Sequence, residues 1–301
     1  MMLGISSYSL DREIRAGRMT LDDVIEWVAQ QDGECMELVP FAFRFMDKET
    51  GAMDNAFIEK TKKHAHDAGI KLVNYSVLAD LCVTDEAAFE REVERIQCEV
   101  DVAAALEIPR MRHDISAFRR PLGENGVANF DQLLPTMIEG AKRITNYAKA
   151  KGVMTLIENH GFFVNGCDRV ERVINGVDDE NYQLLLDTGN IVCMDEDPEV
   201  AAIRLAARAK MIHLKDFYVR RNDPGDSTQF DCGGHWFRSL AGRYLRGAIL
   251  GQGDLDVPAM LSAIKGSGYD GPIVIEFEGL EEAPYATSVS LANARRIWDN
   301  C

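Results

Sequence analysis

The sequence predicts an α/β protein made of a single (β/α)8 TIM barrel that spans residues 1–301. Short apolar runs alternate with longer amphipathic runs eight times, and strands that alternate with helices pair in parallel. The first strand lacks the glycine-rich phosphate loop that often follows the first strand of an open doubly wound sheet. A length of 301 residues is also ordinary for one barrel. The eight strands are predicted to begin near Leu3, Cys35, Ile70, Pro109, Val153, Tyr182, Ala209 and Gly271.

Amphipathic stretches between these strands predict the helices. Thr20 precedes an acidic first turn that contains Asp22 and Asp23, which is typical of a capped helix start. Pro198 follows Asp197 and indicates a second helix start, because proline is favoured in the first helical turn. The predicted helices cover residues 21–30, 55–68, 85–106, 133–151, 170–175, 198–207, 257–265 and 289–299.

An insertion of about residues 218–251 is predicted after the seventh strand, where the interval to the next strand is the longest in the chain. Long loops in compact domains are usually functional, and this one would lie on the active-site face of a barrel. It contains Asp231-Cys232-Gly233-Gly234-His235-Trp236-Phe237. We interpret it as a lid in which Trp236 stacks on the substrate, or as an anchor to the barrel or to another subunit. The aromatic run 41–45 after strand two is either a pocket wall or ordinary packing.

The composition excludes some partners. The formal net charge is -16, with 49 acidic and 33 basic residues and no long basic stretch. Binding to nucleic acid or anionic membrane requires concentrated lysine and arginine, so neither is expected as a partner. The seven cysteines form no CxxC pair, and no run approaches the roughly 18 apolar residues of a membrane span. We therefore expect a cytoplasmic protein with reduced thiols.

Four residues of metal-ligand type each end a short apolar run: Glu158, Asp187, His213 and Glu276. Burying three carboxylates together is unfavourable unless a cation neutralises them. In a barrel, the ends of successive strands meet at one face, so the four side chains are predicted to converge. The oxygen-rich set favours one Mn or Mg ion over Co or Zn.

Five motifs in the second half of the chain carry a family resemblance. They are Leu156-Ile157-Glu158-Asn159-His160-Gly161, Leu186-Asp187-Thr188-Gly189-Asn190, Ile212-His213-Leu214-Lys215-Asp216, Gly251-Gln252-Gly253-Asp254-Leu255-Asp256 and Ile275-Glu276-Phe277-Glu278. The chain resembles the xylose isomerase-like TIM barrel superfamily, also labelled sugar phosphate isomerase/epimerase or AP endonuclease family 2. The resemblance implies that Glu158, Asp187, His213 and Glu276 hold one divalent metal.

Two departures from the family pattern narrow the range of activities expected for this chain. Ketose 3-epimerases of the superfamily have a histidine where this chain has Asn190 and an arginine where it has Val219. The DNA-repair endonucleases also need a histidine at the position of Asn190. These differences weigh against a standard ketose 3-epimerase, and with the acidic composition they weigh against a nuclease.

Several residues are candidates for catalysis or substrate binding. The resemblance implies that Glu158 or Glu276 acts as both ligand and base. His160, two residues beyond Glu158, and His113, at the end of strand four, are further candidate bases. The alternative for His160 is a loop histidine that bonds to backbone. Predicted substrate-binding residues are Arg112, Lys215, Asn190 and Trp236.

The leading functional prediction is an isomerase or epimerase that removes a proton next to the carbonyl of a sugar, keto-sugar or cyclitol through a metal-stabilised enediolate. A lyase is the close alternative, which would dehydrate a keto-cyclitol or eliminate a substituent from a 3-keto-glycoside. Relatives of the superfamily do both, including carbon-glycoside deglycosidases that work with a small partner subunit. A non-catalytic carbohydrate binder is the third hypothesis. We expect a homo-oligomer. We also expect an unphosphorylated carbohydrate substrate, because the sequence shows no cluster of basic residues that would bind a phosphate.

Overall fold

Eight parallel strands form a closed barrel in the computed structural model, which describes residues 1–118, 120–228 and 234–301. Around the barrel the strands follow the order β1-β12-β7-β6-β5-β4-β3-β2, and each pairs in parallel with its neighbours. The predicted TIM barrel is therefore confirmed. The barrel strands are β1 Met2–Ser6, β2 Cys35–Leu38, β3 Lys71–Val77, β4 Arg110–His113, β5 Met154–Glu158, β6 Tyr182–Asp187, β7 Ala209–Leu214 and β12 Pro272–Ile275.

Helices surround the barrel, and several begin at a hydrogen-bonded cap. Thr20 and Asp23 form a reciprocal capping box at the start of α2, and Asp197 accepts two backbone N–H groups at the start of α7. None of the described helices is both long and apolar enough to cross a membrane. The helices are α1 Asp11–Arg15, α2 Leu21–Gln30, α3 Asn55–Asp67, α4 Glu86–Ala105, α5 Val127–Ala150, α6 Cys167–Val177, α7 Pro198–Leu205, α8 Val257–Gly266 and α9 Ala283–Asn300.

Side chains inside the barrel form an apolar layer below a polar one. The apolar layer consists of Cys35, Val73, Leu156, Leu185, Met211 and Val274. Because side chains alternate along a strand, the residue two positions further on faces the same way. For five of these strands that residue is polar and ionisable, and it lies at the carboxyl end of the barrel. The five are Glu37, Glu158, Asp187, His213 and Glu276.

A second sheet of four short strands follows β7, in the segment where the sequence predicts an insertion. Its strands are β8 Asp216–Arg220, β9 Ser227–Thr228, β10 Trp236–Arg238 and β11 Tyr244–Ala248, in the order β8-β11-β10-β9. The buried carboxylate of Asp216 accepts the backbone N–H groups of Gly251 and Gly253 and thus fixes the chain that leaves this sheet. The part of the predicted lid formed by residues 231–233 lies outside the described residues.

Candidate metal centre

The four predicted ligands meet at the carboxyl end of the barrel. Glu158 and Asp187 are the last residues of β5 and β6, His213 lies in β7, and Glu276 directly follows β12. One ligand atom from each residue lies within 4.8 Å of the ligand atoms of the other three. The structure thus brings together the whole set that the strand-end argument selected.

The spacing around His213 fits a shared ion better than direct hydrogen bonds. Its Nδ1 atom lies 3.7 Å from Glu158 Oε1, 3.6 Å from Asp187 Oδ2 and 3.7 Å from Glu276 Oε2. These distances are too long for good hydrogen bonds. Ligand atoms that are each about 2.1 Å from one tetrahedral ion lie about 3.4 Å apart. His213 Nδ1 and Asp187 Oδ2 are also buried without a hydrogen-bond partner among the described residues. The donor set therefore fits a divalent metal.

Glu37 contacts the His213 ring on the side opposite the candidate ligands. Glu37 was not among the predicted site residues. Its Oε2 atom lies 2.9 Å from His213 Nε2, and its Oε1 atom accepts hydrogen bonds from Asn74 and Ser76. Burial raises the pKa of a carboxyl group, but His213 and Ser76 outweigh burial and lower the pKa of Glu37 to about 2. A carboxylate beside Nε2 favours the proton on that nitrogen and leaves Nδ1 as the ligand atom.

Asp187 is held so that one of its oxygens remains available. Its Oδ1 atom accepts the backbone N–H groups of Gly189 and Asn190, at 2.8 and 2.7 Å. The side chain of Asn159 pairs with both the N–H and the carbonyl oxygen of Asp187. Gly189 is required here because a Cβ atom would lie only 2.8 Å from the Cβ of Lys215. These contacts fix the carboxylate and leave Oδ2 facing the other ligands.

Lys215 and Asn190, both predicted to bind substrate, are buried beside the cluster. Lys215 Nζ lies 2.6 Å from Glu276 Oε2 and donates to Asn190 Oδ1 at 3.0 Å. Asn190 Nδ2 in turn donates to Glu158 Oε1 at 2.9 Å. Burial lowers the pKa of Lys215, but Asp187 and Glu276 raise it well above its usual value overall. Lys215 is therefore a fixed positive charge at the site.

A second set of contacts links Glu158 to a histidine. Arg112 NH2 lies 2.6 Å from Glu158 Oε2 and 2.7 Å from Asp114 Oδ1. Asp114 Oδ1 lies 3.0 Å from His160 Nδ1. Burial lowers the pKa of His160, but Asp114 outweighs it and the net pKa is raised. Asp114 thus orients His160 and makes its ring more basic, because the carboxylate stabilises the imidazolium formed when the ring takes a proton. The His160 ring therefore bonds to a side chain rather than to backbone.

Eight of these residues line a cavity of about 620 Å³ at the barrel mouth: Arg112, Asp114, Glu158, His160, Asn190, His213, Lys215 and Glu276. Glu278 also lines this cavity and lies 3.6 Å from Lys215 Nζ. Burial raises the pKa of Glu278 to about 7 even though Lys215 opposes the shift. Glu278 was not among the predicted site residues, although it lies two residues beyond Glu276 and faces the same cavity.

Two predicted site residues lie elsewhere. His113 is fully buried on the outer face of β4, opposite in direction to Arg112, and its ring approaches Tyr182 rather than the cavity. His113 therefore does not line the cavity that a catalytic role would require it to reach. Trp236 lies on the face of the small sheet that packs against Arg246, with the guanidinium 4.8 Å from the ring. Its neighbour Phe237, which points the other way, lines the cavity instead.

The charges around the site call for a cation. In the described part of the chain, six carboxylates surround the cavity floor, whereas Arg112 and Lys215 are the permanently charged bases there. A divalent ion would offset half of the excess negative charge of this cluster, and buried charges are unfavourable unless they are offset. The carboxylates belong to Glu37, Asp114, Glu158, Asp187, Glu276 and Glu278.

Comparison with known proteins identifies the family. The model of the xylose isomerase-like TIM barrel family matches residues 25–295, so the chain belongs to that family, as its motifs predicted. An inosose dehydratase of Lacticaseibacillus casei is 30% identical over 141 residues, which are 46% of this chain and 45% of the relative. The match thus spans about half the length of that curated relative.

Solved structures agree on the fold. D-psicose 3-epimerase from Clostridium cellulolyticum H10 superposes with a TM-score of 0.73 and 15% identity, covering 99% of each chain. The IolI protein with a bound zinc atom superposes with a TM-score of 0.73 and 14% identity, covering 100% of this chain and 99% of its own. At 15 and 14% identity, these two superpositions show the shared fold alone.

Proposed function

We propose that this chain is a metal-dependent lyase that removes a proton next to the carbonyl of a keto-sugar or keto-cyclitol and expels the β-substituent. One observation carries the proposal: the His160–Asp114 pair lines the same cavity as Glu158, His213 and Glu276. Glu158 and Glu276, the two carboxylates that could serve as bases, lie 2.6 Å from Arg112 and Lys215 respectively. His160 is therefore the base least restrained by a cation.

The four ligands would hold one divalent ion, with manganese or magnesium favoured by the three carboxylates. When bound, such an ion supplies polarisation of the substrate carbonyl and lowers the energy of the adjacent carbanion. Lys215 and Asn190 lie next to the ligands and are placed to donate hydrogen bonds to substrate oxygens.

Asp114 holds His160 Nδ1, so Nε2 is the ring atom left to react with substrate. Neutral His160 takes the α-proton, and the electron pair of that C–H bond forms the enolate. As the carbonyl re-forms, this pair becomes a carbon–carbon double bond, and the β-oxygen leaves with the electrons of its own bond. The imidazolium of His160 returns a proton to that oxygen, which gives water or an alcohol.

The curated relatives support elimination, because they are named inosose dehydratases and a dehydratase removes water. A second candidate, isomerisation or epimerisation, is favoured by a different observation. Glu158 and Glu276 come from β5 and from the end of β12, on either side of β6 and β7. They would therefore approach a substrate from different sides, as needed to remove a proton from one face and return it to the other.

Incubation in D2O separates these outcomes. Protein supplied with Mn, Mg, Co or Zn is mixed with free keto-sugars, an inosose and 3-keto-glycosides, and the products are followed by NMR. We expect an unsaturated ketone together with water or a free alcohol. Deuterium uptake with every substituent retained would instead establish the isomerase, and neither outcome with any metal would contradict both.

Matched variants test the assigned roles. His160→Gln keeps a side chain that can bond Asp114 but cannot take a proton, so elimination should fall by at least about 100-fold. Its affinity for the metal should be unchanged. Glu158→Gln should lose metal affinity as well as activity. A carbohydrate binder is indicated if Glu158→Gln binds ligand like the wild type and neither protein binds a divalent ion.

A further inference from the structure

The cavity at the barrel mouth has two chemically different halves. The ligands, Lys215 and Asn190 come from β5, β6, β7 and the end of β12. The opposite half is built mainly by segments that follow β1 to β4, and it includes a group of apolar side chains beside several charged ones. Six residues of this half define what we term the apolar wall: Tyr8, Val39, Phe41, Leu78, Ala79 and Phe118.

The cavity is larger than a monosaccharide needs. A hexose has about 12 heavy atoms and fills roughly 200 Å³ at the packing density of protein interiors. The cavity measures about 620 Å³, so a sugar ring held at the polar half leaves most of the space open. That remaining space adjoins the apolar wall.

The apolar wall is shaped to receive a flat apolar group. Tyr8 and Phe41 meet edge to face, with ring centroids 5.8 Å apart. Phe118 stacks on His160 at 5.1 Å, so the apolar wall reaches the proposed acid–base group. Leu78 is 45% exposed although it lines the cavity, and exposed leucine surface gains free energy when another apolar surface covers it.

The charged groups on this half do not form an anion site. Arg95 pairs with Glu92 at 2.8 Å and donates a further hydrogen bond to the carbonyl oxygen of Leu78. Glu92 also accepts the backbone N–H of Asp80, whose own carboxylate lines the cavity. Two carboxylates beside one neutralised arginine would repel a phosphate, so the extra space is unsuited to a sugar phosphate.

We infer that the substrate is a keto-sugar that carries an apolar, aromatic substituent, and that this substituent lies on the apolar wall. The inference rests on the proposed elimination and specifies its substrate class. The sugar carbonyl faces the ligands, and the substituent oxygen lies near His160, where Phe118 marks the boundary between the halves. Elimination then releases the substituent as an alcohol or phenol that has taken its proton from His160.

Binding can be measured without turnover. Isothermal titration calorimetry on the metal-loaded protein compares p-nitrophenyl β-D-glucopyranoside with methyl β-D-glucopyranoside, which share the sugar and differ in the substituent. We expect the aryl glycoside to bind at least about tenfold more tightly, because its ring buries apolar area that the methyl group cannot. Equal affinities, or binding of neither glycoside, would overturn the inference.

A surface variant and a matched control locate the aryl subsite. Leu78→Ser should reduce the aryl preference several-fold while leaving the methyl glycoside unaffected. Ile203→Ser changes an apolar side chain on α7 that is 63% exposed and does not line the cavity, so it should have no effect. If the aryl preference is unchanged in Leu78→Ser, the claim that the substituent lies on the apolar wall is contradicted.

The two proposals fail in different ways. Elimination from a free keto-sugar or an inosose without any aryl preference would refute the substrate class and leave the proposed chemistry standing. Aryl preference that depends on Leu78, with neither exchange nor elimination on any 3-keto-glycoside, would refute the chemistry and leave the apolar wall as a binding site.

Discussion

His213 is contacted on both sides of its ring, and its two nitrogens have different environments. Nδ1 faces three carboxylates at 3.6 to 3.7 Å, whereas Nε2 faces Glu37 at 2.9 Å. Glu37 is in turn fixed by Asn74 and Ser76 from the neighbouring strand. The orientation of the ligand thus depends on residues from β2 and β3, which contribute no ligand themselves.

Replacing Glu37 with glutamine should weaken metal binding without displacing any ligand. The amide is nearly isosteric but carries no charge, so it no longer favours the proton on His213 Nε2. We expect the metal dissociation constant from calorimetry to rise by about 10- to 100-fold. Ser76→Ala, which removes only one hydrogen bond to Glu37, should have a smaller effect. An unchanged dissociation constant for Glu37→Gln would refute the orienting role.

His113 should make the protein less stable in mild acid. Burial, opposed by Asp114, lowers the pKa of His113 to about 4, below the roughly 6.5 of an unfolded chain. The neutral form is therefore favoured by folding: its contribution is complete above pH 6.5 and is lost as the pH falls towards 4. The expected loss between pH 7 and pH 5 is about 2 kcal/mol.

Urea denaturation at the two pH values measures this effect. The loss attributed to His113 should disappear in His113→Asn, so the variant should show a flatter pH dependence than the wild type. His66→Asn alters an exposed histidine and serves as the control. Parallel pH dependences in the wild type and His113→Asn would show that His113 is not buried in neutral form.

The cluster of Glu158, Asp187, His213 and Glu276 could be predicted because each residue ends an apolar run, which makes its burial conspicuous. Glu37 was missed because the chain continues with Leu38 and Val39, so no run ends there. A sequence signal did exist: Glu37 lies two residues after an inward apolar residue, as do the four ligands. Asp114 could not be found this way, because its contact with His160 joins the segments that follow two different strands, β4 and β5.

At the level of helices, the accuracy of the predicted starts follows the capping chemistry. The starts of α2, α3, α4, α7 and α8 were predicted within one residue, and each has an aspartate or threonine cap that accepts a backbone N–H. The starts of α5, α6 and α9 lie three to six residues before their predicted positions. Their caps are Gly126, Gly166 and Glu282, which make no such side-chain bond, so those starts carry no side-chain capping signal.

The small sheet after β7 illustrates a second limit on what can be predicted from the sequence. Sequence spacing predicted an insertion there. The direction in which its side chains point, however, depends on how its strands pair. In β10, Phe237 pairs with Leu245 and packs against Phe217, which directs Trp236 to the opposite face. Only this tertiary register decides which of two adjacent aromatic residues reaches the cavity.

For the molecule as a whole, removal of the metal should lower stability. Buried carboxylates lose their neutralising charge, and a ligand that binds only the folded state stabilises it by mass action. Protein treated with EDTA should melt at a lower temperature, and MnCl2 at a thousand times its dissociation constant should restore about 4 kcal/mol.

Differential scanning calorimetry with Glu158→Gln as control measures this dependence. The variant lacks one ligand charge, so added MnCl2 should shift its melting temperature much less than that of the wild type. Identical melting curves for the wild type with EDTA and with MnCl2 would contradict a metal centre in this cluster.

The division of the cavity between two halves of the barrel separates reactivity from selectivity. The reacting groups depend mainly on β5, β6, β7 and β12, whereas the surface that would select the substituent depends on segments after β1 to β4. Residues such as Phe41 and Leu78 can therefore be exchanged without altering a metal ligand. The same reaction centre could thus be redirected to differently shaped substrates, by natural drift or by loop grafting, with the bond-breaking step left unchanged.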